Sequence, residues 1–268
     1  MSPSALRLDW EIARRGFGRY AAYPAATFAG IWTNTIFGFL QAYILLALYE
    51  NRTDIGGYDP TDAVTYVWFA QAMLATVYVF GWFEVALRIR SGDVATDLAR
   101  PLDPLRYWLA FDLGRALYHF AFRGIPPFVV GMLAFDLRFP GSPSTWIWLV
   151  LSLALAVVVS FAYRFLYNLA AFWLLDYRGI GIIAITVALL FSGFIVPLPF
   201  FPDWLEAVAR VLPFAAMVQI PVDVFLEKLT GVEIFGALLL QTAWAVVLLG
   251  CARLALGAAI RRVVIQGG

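Results

Sequence analysis

Six apolar stretches, each at least as long as a bilayer's hydrocarbon is thick, fix what this chain can fold into. They run over residues 24–48, 63–87, 107–135, 146–175, 180–200 and 234–256. A helix needs ~20 apolar residues to cross ~30 Å of hydrocarbon, whereas a barrel strand alternates over ~10. The blocks therefore predict helices. With 62% hydrophobic and 14% charged residues and a mean hydropathy of +0.80, the chain lies far from the roughly 45–50% apolar usage of soluble domains. The expected fold is an all-α polytopic membrane protein, a single membrane domain over 1–268 with six transmembrane helices. No run between the blocks is long enough for a separate soluble domain.

A net charge of +1 conceals a strong asymmetry. Lys and Arg in short loops set orientation. Arg7, Arg14, Arg15 and Arg19 precede the first block, Arg88, Arg90, Arg100 and Arg106 follow the second, and Arg178, Arg253, Arg261 and Arg262 fall on the same side. The other side holds Arg52, Arg138, Arg210 and Lys228. Both termini are expected in the cytosol. Leu6, Trp10, Ala13, Phe17 and Tyr20 recur at spacings of four and three, with the charges off that stripe, which predicts an interfacial helix over about 4–21; a merely basic tail is the simpler alternative. No apolar core of signal-peptide type follows these charges. The single cysteine, Cys251, excludes a disulfide within the chain and a thiolate metal cluster.

The loop 88–106 has its own punctuation. Ser91 is a good N-cap type, Asp93 suits the positive end of a helix, and Pro101 pushes Arg100 out of helical geometry, so a helix of about two turns is expected from Gly92 to Ala99. Val94 and Leu98 would give it a small apolar face. The plainer alternative is a capped turn joining two helices.

Polar residues inside the blocks raise further expectations. Asp112, Arg115, His119 and Arg123 share one helical face, and Pro126 and Pro127 then interrupt the helix. Counting back from Phe135 puts Asp112 and Arg115 at the inner interface and Arg123 near mid-membrane. A lone arginine there costs at least ~2.5 kcal/mol, so it faces a pathway or cavity, or else pairs or snorkels; carbonyls freed by the kink are one potential partner. His119 reads as a hydrogen-bonded helix-face residue or as a proton relay. Glu84 reads as a wet interfacial residue or as an arginine's partner. Arg164 is close to the inner surface and is expected to snorkel, with Asn168 and Asp176 following. Residues 203–229 are too apolar for a free loop: Leu205, Val208, Ala209 and Leu212 form a stripe between Pro202 and Pro213, and Phe214 to Leu229 form a second segment. Both are expected as half-helices in or on the outer leaflet.

Several chemistries are missing. There is no Gly-x-x-x-x-Gly-Lys-Ser/Thr loop, and the only lysine, Lys228, is expected on the side away from cytosolic ATP. No Gly-x-Ser-x-Gly elbow occurs, and one histidine and one cysteine on different blocks suit neither a zinc site nor a nucleophile pair. An ion-gradient-driven secondary transporter or channel subunit is the main rival to any ATP-linked reading, although its usual intramembrane carboxylates are here near block ends.

The order of elements resembles the permease subunit of an ABC transporter of the type 2 exporter group. Gly92-Asp-Val-Ala-Thr-Asp-Leu-Ala-Arg-Pro-Leu102 is similar to that family's Gly-x-x-x-x-x-Leu-x-Arg-Pro-Leu cytosolic stretch. Phe201-Pro-Asp-Trp-Leu205 with Leu212-Pro-Phe214 is similar to its outer segment after the fifth span. The resemblance covers nearly the whole chain. It implies a bacterial cytoplasmic (inner) membrane location and a second permease subunit, identical or related. It also implies a separate cytosolic ABC ATPase that carries ATP and Mg, the permease holding no cofactor. Membrane lipids are the other expected partner, and no nucleic acid is. It further implies that Ser91, Gly92, Asp93, Val94, Ala95, Thr96, Asp97 and Leu98 form a coupling helix docking on the ATPase, with Arg100, Pro101 and Leu102 fixing its exit. Arg115, His119 and Arg123 are the candidates for the pathway or the subunit interface.

Overall fold

The computed structural model describes residues 3–174 and 177–261; Asp176 and Arg262 lie outside them. In chain order the helices are α1 (Pro3–Ala21), α2 (Pro24–Leu48), α3 (Pro60–Met73), α4 (Glu84–Ser91), α5 (Val94–Leu98) and α6 (Pro104–His119). Then follow α7 (Ile125–Ala134), α8 (Pro143–Leu169), α9 (Arg178–Phe191), α10 (Asp203–Val211), α11 (Gln219–Phe225) and α12 (Val232–Ile260). Among the described residues the only β pairing is an isolated bridge between Ile55 and Tyr58. The protein is an all-α polytopic membrane protein. Within the same residues, α2, α8 with its short extension to Phe172, and α12 are each long and apolar enough to cross a membrane unaided.

The second apolar block is not one helix. α3 opens on a capping box, in which the Asp62 amide donates to Asp59 Oδ1 at 2.7 Å and the Asp59 amide to Asp62 Oδ2 at 3.2 Å. Its residues from Asp62 onward are buried. It widens into a π turn over Leu74–Tyr78, and regular helix resumes only at Glu84. Tyr78 has φ of 60° and Gly81 of 103°. β-Branched Thr76, Val77 and Val79 are poor helix formers, and Gly81 adopts its backbone conformation without steric cost.

In the third block the prolines do not break the path. α6 passes through a π turn, Phe120–Gly124, directly into α7, where Pro126 and Pro127 occupy the first turn and need no intrahelical donor. A Cβ on Gly124 would strike the Ala72 carbonyl, so α3 and this turn meet at backbone distance.

At the end of the bundle bearing residues 88–106, here the basic end, α1 lies along α6. Gly16 faces the Phe111 carbonyl and Gly114 the Ala13 carbonyl, each too close for a side chain. Arg106 Nε and Nη2 grip Asp9 at 2.8 and 2.6 Å. The buried face is thus Ile12 and Gly16, while Leu6 and Trp10 of the apolar stripe stay exposed.

At the opposite end α9 stops after 14 residues, short of the expected 180–200, because Gly193 turns the chain at φ of 84°. α10 exposes Trp204, Val208 and Val211, as a surface half-helix should. α11 differs from expectation: it is buried along its whole length, packed on α8 and anchored by Gln219 and Asp223. Gln219 Nε2 donates to Asp223 Oδ1 at 2.7 Å and to the Tyr58 hydroxyl at 3.0 Å, and Tyr58 donates to Asp223. These bonds satisfy polar groups that a leaflet-facing helix would leave to lipid.

Candidate functional site

The break between α3 and α4 strands backbone groups that a continuous helix would pair. Arg115 donates through Nη1 to the Ala75 carbonyl at 2.7 Å and through Nη2 to the Thr76 carbonyl at 2.9 Å, and Ser160 donates to the Val77 carbonyl. A guanidinium there also faces the negative end of the helix dipole. Asp112 balances it, accepting from Arg115 Nε at 2.6 Å and from Arg164 Nη2 and Nη1 at 2.8 and 3.1 Å. Both guanidiniums lie over the Tyr78 ring, at 4.7 Å for Arg115 and 5.5 Å for Arg164. Beyond the break, Asn168 Oδ1 accepts from the Ala86 amide at 2.9 Å and Nδ2 donates to the Trp82 carbonyl at 2.6 Å. The Tyr167 hydroxyl accepts from the Trp82 amide at 2.9 Å. Side chains of α6 and α8 thereby seal the break from both sides.

This joint corrects one expectation: Arg164 is buried and paired instead of snorkelling. Asp112 and Arg115 are likewise buried within the protein, and Arg115 faces the broken helix. Depth along the helix was the same in either case; a carboxylate within reach made burial the better arrangement. Glu84, half-buried, accepts from Arg19 and from Trp82 Nε1 at 3.4 Å, so it is an arginine's partner.

α4 leads straight into the segment at 91–102. Ser91 is the last residue of α4 and not an N-cap: Gly92, at φ of 84°, ends that helix, and the Ser91 hydroxyl donates to Asp93 Oδ2 at 2.8 Å. α5 is correspondingly short, Val94–Leu98. Asp97 takes two bonds from Arg88, one of them from Nη2 at 2.8 Å, tying α5 back to α4. The Asp97 hydrogen bond raises the Arg88 guanidinium above its already high ordinary pKa. Val94 and Leu98 turn inward, into a crevice with Val85, Trp108 and Phe165. Ser91, Gly92, Asp93, Ala95, Thr96, Arg100 and Pro101 are exposed. Leu102 is half-buried beside Tyr107, and Asp103 caps α6 through the Arg106 amide at 2.9 Å.

A cavity of about 490 Å³ opens on the other side of the break. α2 supplies Asn34 and Gln41, α3 supplies Gln71, and the two π turns supply Ala75, Tyr78 and Arg123. Gln71 Nε2 donates to Gln41 Oε1 at 2.7 Å, leaving Gln71 Oε1 without a partner. Arg123 makes no ion pair among the described residues, and its buried Nε has no acceptor. Its guanidinium rests on Gly30, where any Cβ would collide with it. His119 lies between the two groups: buried, neither ring nitrogen bonded, its ring 4.6 Å from Tyr20 and 6.3 Å from Tyr78. The predicted face of Asp112, Arg115, His119 and Arg123 is therefore divided, with the first pair in the joint and Arg123 alone in the cavity.

Ser160, Arg164, Tyr167 and Asn168 were not among the predicted site residues. Their signal is a polar stripe at Ser160, Arg164 and Asn168, at intervals of four on an otherwise apolar helix. Among the described residues no group of His, Cys, Asp and Glu could hold a metal ion.

No curated protein matches the sequence. The family model described as ABC-2 family transporter protein matches residues 33–267, which takes in everything described above except α1 and the start of α2. That family implies partnership with a cytosolic ABC ATPase. Matched over this much of its length, the chain belongs to the ABC-2 transporter family.

Proposed function

We propose that this permease is one half of a dimeric ATP-driven exporter, crossing a bacterial cytoplasmic membrane six times with both termini in the cytosol. A separate ABC ATPase binds ATP and Mg, docks on residues 91–102, and drives alternating exposure of a pathway that includes the cavity at Arg123. Lipid surrounds the dimer, and the chain itself performs no covalent chemistry.

The observation that carries this reading is the elbow between α4 and α5. A short helix presents Ala95 and Thr96 outward and is clasped by Arg88 and Asp97 to α4, which is itself keyed to α8 by Asn168. Such an element can receive a push and hand it on. The docking face is Ala95 and Thr96, since Val94 and Leu98 bind the elbow to its own chain.

The double substitution Ala95→Arg/Thr96→Arg alters exposed positions and leaves the fold intact. It is expected to abolish copurification of the ATPase in mild detergent, with loss of export. Val94→Asp/Leu98→Asp instead frees the elbow from its crevice and is expected to leave hydrolysis running without transport. Stoichiometric ATPase and normal export in both variants, or transport driven by an ion gradient without ATP, would overturn the assignment.

A further inference from the structure

Arg123 stands apart from the arginines that hold carboxylate partners. Arg115 and Arg164 share Asp112, Arg138 holds Asp59 and Asp62, and Arg210 holds Glu206 and Asp223. Arg123 faces the cavity with no carboxylate and with a buried Nε lacking an acceptor. A guanidinium cannot discharge itself by losing a proton. At this depth an uncompensated one costs at least ~2.5 kcal/mol. The chain nevertheless makes room for it by placing Gly30 beneath it.

The remaining walls say what else the site takes. Phe37, Leu74, Phe194 and Ile195 line it with apolar surface, and Gln71 Oε1 is a buried acceptor with no donor. At about 490 Å³ the cavity falls within the ~300–1,000 Å³ of ordinary small-molecule sites. A free inorganic anion would satisfy the arginine and leave the apolar wall against water. A neutral amphiphile would do the reverse. A cation would meet Arg123 with the net positive Asp112, Arg115 and Arg164 group behind it.

We propose that this cavity binds an anionic amphiphile, its acidic head on Arg123, a hydroxyl of the head on Gln71, and its apolar body along the phenylalanine-rich wall. As a statement about cargo this rests on the exporter reading, whereas binding itself does not. The guanidinium serves as the anchor because it is a fixed charge in a low-dielectric wall, where a charge-assisted hydrogen bond is strongest.

The test is native mass spectrometry of the full-length permease titrated with dioleoyl phosphatidylglycerol, dioleoyl phosphatidylcholine and inorganic phosphate. Phosphatidylglycerol is expected to bind about tenfold more tightly than phosphatidylcholine, the scale of one charge-assisted contact. Arg123→Gln should abolish that preference, and Arg123→Lys should restore part of it. Thr33→Trp, at an exposed position on the cavity rim, should weaken phosphatidylglycerol while leaving Arg123 in place. Arg14→Gln/Arg15→Gln, on the exposed face of α1, should leave the preference unchanged. Equal affinity for the two lipids, an unaltered preference in Arg123→Gln or Thr33→Trp, a preference lost in the α1 variant, or phosphate competing as strongly as the lipid would each overturn the proposal. Failure of the ATPase to copurify would overturn the exporter reading alone and leave this titration to be read on its own.

Discussion

Substituting Asp112 by Asn should destabilise the permease more than any other single change at the joint. Two guanidiniums share this one carboxylate, so the trio carries one net positive charge, and the substitution raises it to two in a site where all three side chains are at most 3% exposed. Asn can accept from one arginine but cannot neutralise either. Leaving a buried charge uncompensated costs about 3–5 kcal/mol. At roughly 2–4 °C per kcal/mol for a chain near this size, the midpoint should fall by about 6–20 °C.

Arg164→Gln should cost less, about 1–3 kcal/mol for the lost charge-assisted bonds, because Asp112 and Arg115 still neutralise each other. The decisive comparison is the double variant. With Asp112 already replaced, removing Arg164 takes away a repelling charge and leaves Arg115 on the Ala75 and Thr76 carbonyls. Asp112→Asn/Arg164→Gln should therefore melt at a higher temperature than Asp112→Asn alone. Unfolding in detergent can be followed by the emission of the ten tryptophans. A loss below about 1 kcal/mol for Asp112→Asn, or a double variant at or below the single one, would refute the account, because the cluster would then have to be hydrated or its charges independent.

Two other perturbations report on the ends of the bundle. Glu227 is held below its usual carboxylate range by the Thr145 hydroxyl first, then by the Gly141 and Ser142 amides. A depressed carboxylate contributes stability that is complete above its unfolded pKa and lost as pH falls through the folded one. Amide exchange at 141–145 should therefore accelerate below the ordinary glutamate range, and Glu227→Gln should remove that pH dependence; a variant that keeps it would exclude the contact as its cause. Gly114→Ala adds a Cβ against the Ala13 carbonyl and should cost about 1–3 kcal/mol although alanine is the better helix former. On a Cys251→Ser background, a cysteine at Ile12 should gain maleimide reactivity when Gly114 is replaced, and no gain would mean that α1 is held by its ion pairs.

What could be read in advance followed from where the information resides. α2, α8 and α12 carry their apolar runs within one continuous segment, so hydropathy finds them. The broken block has the same hydropathy whether or not its helix is continuous. Its cue is the run Thr76-Val-Tyr-Val-Phe-Gly81, and its seal comes from Arg115, Ser160 and Asn168, far along the chain. Arg164 had the right depth for snorkelling, but depth does not reveal that Asp112 stands opposite. The apolar stripe of α1 gave the helix and, in Ala13, Phe17 and Tyr20, part of its contact face, but it missed Gly16 and Gly114, because close helix packing in membranes is carried by such small residues. At the elbow two cues competed: Ser91 as a start and Gly92 as a stop. Gly92 prevailed because it takes the left-handed conformation that closes α4, which leaves Ser91 inside that helix.

The joint also sets how a force on the elbow is divided. Gly92 alone would be a free swivel between α4 and α5, but the Arg88 and Asp97 clasp spans it, so load on α5 passes into α4. α4 in turn is fixed at its first turn by Asn168 on Ala86 and Trp82, so it must either break those bonds or carry α8 with it. On the far side of the break the same α8 holds Arg164 over Tyr78, and Tyr78 is a wall of the cavity that contains Arg123. Packed elements joined by discrete hydrogen bonds switch between arrangements rather than bending gradually. In the exporter proposed here, a docking stroke on Ala95 and Thr96 would thus arrive at the cavity as a step, and the residues that set its threshold are Asp112, Arg115, Arg164 and Asn168.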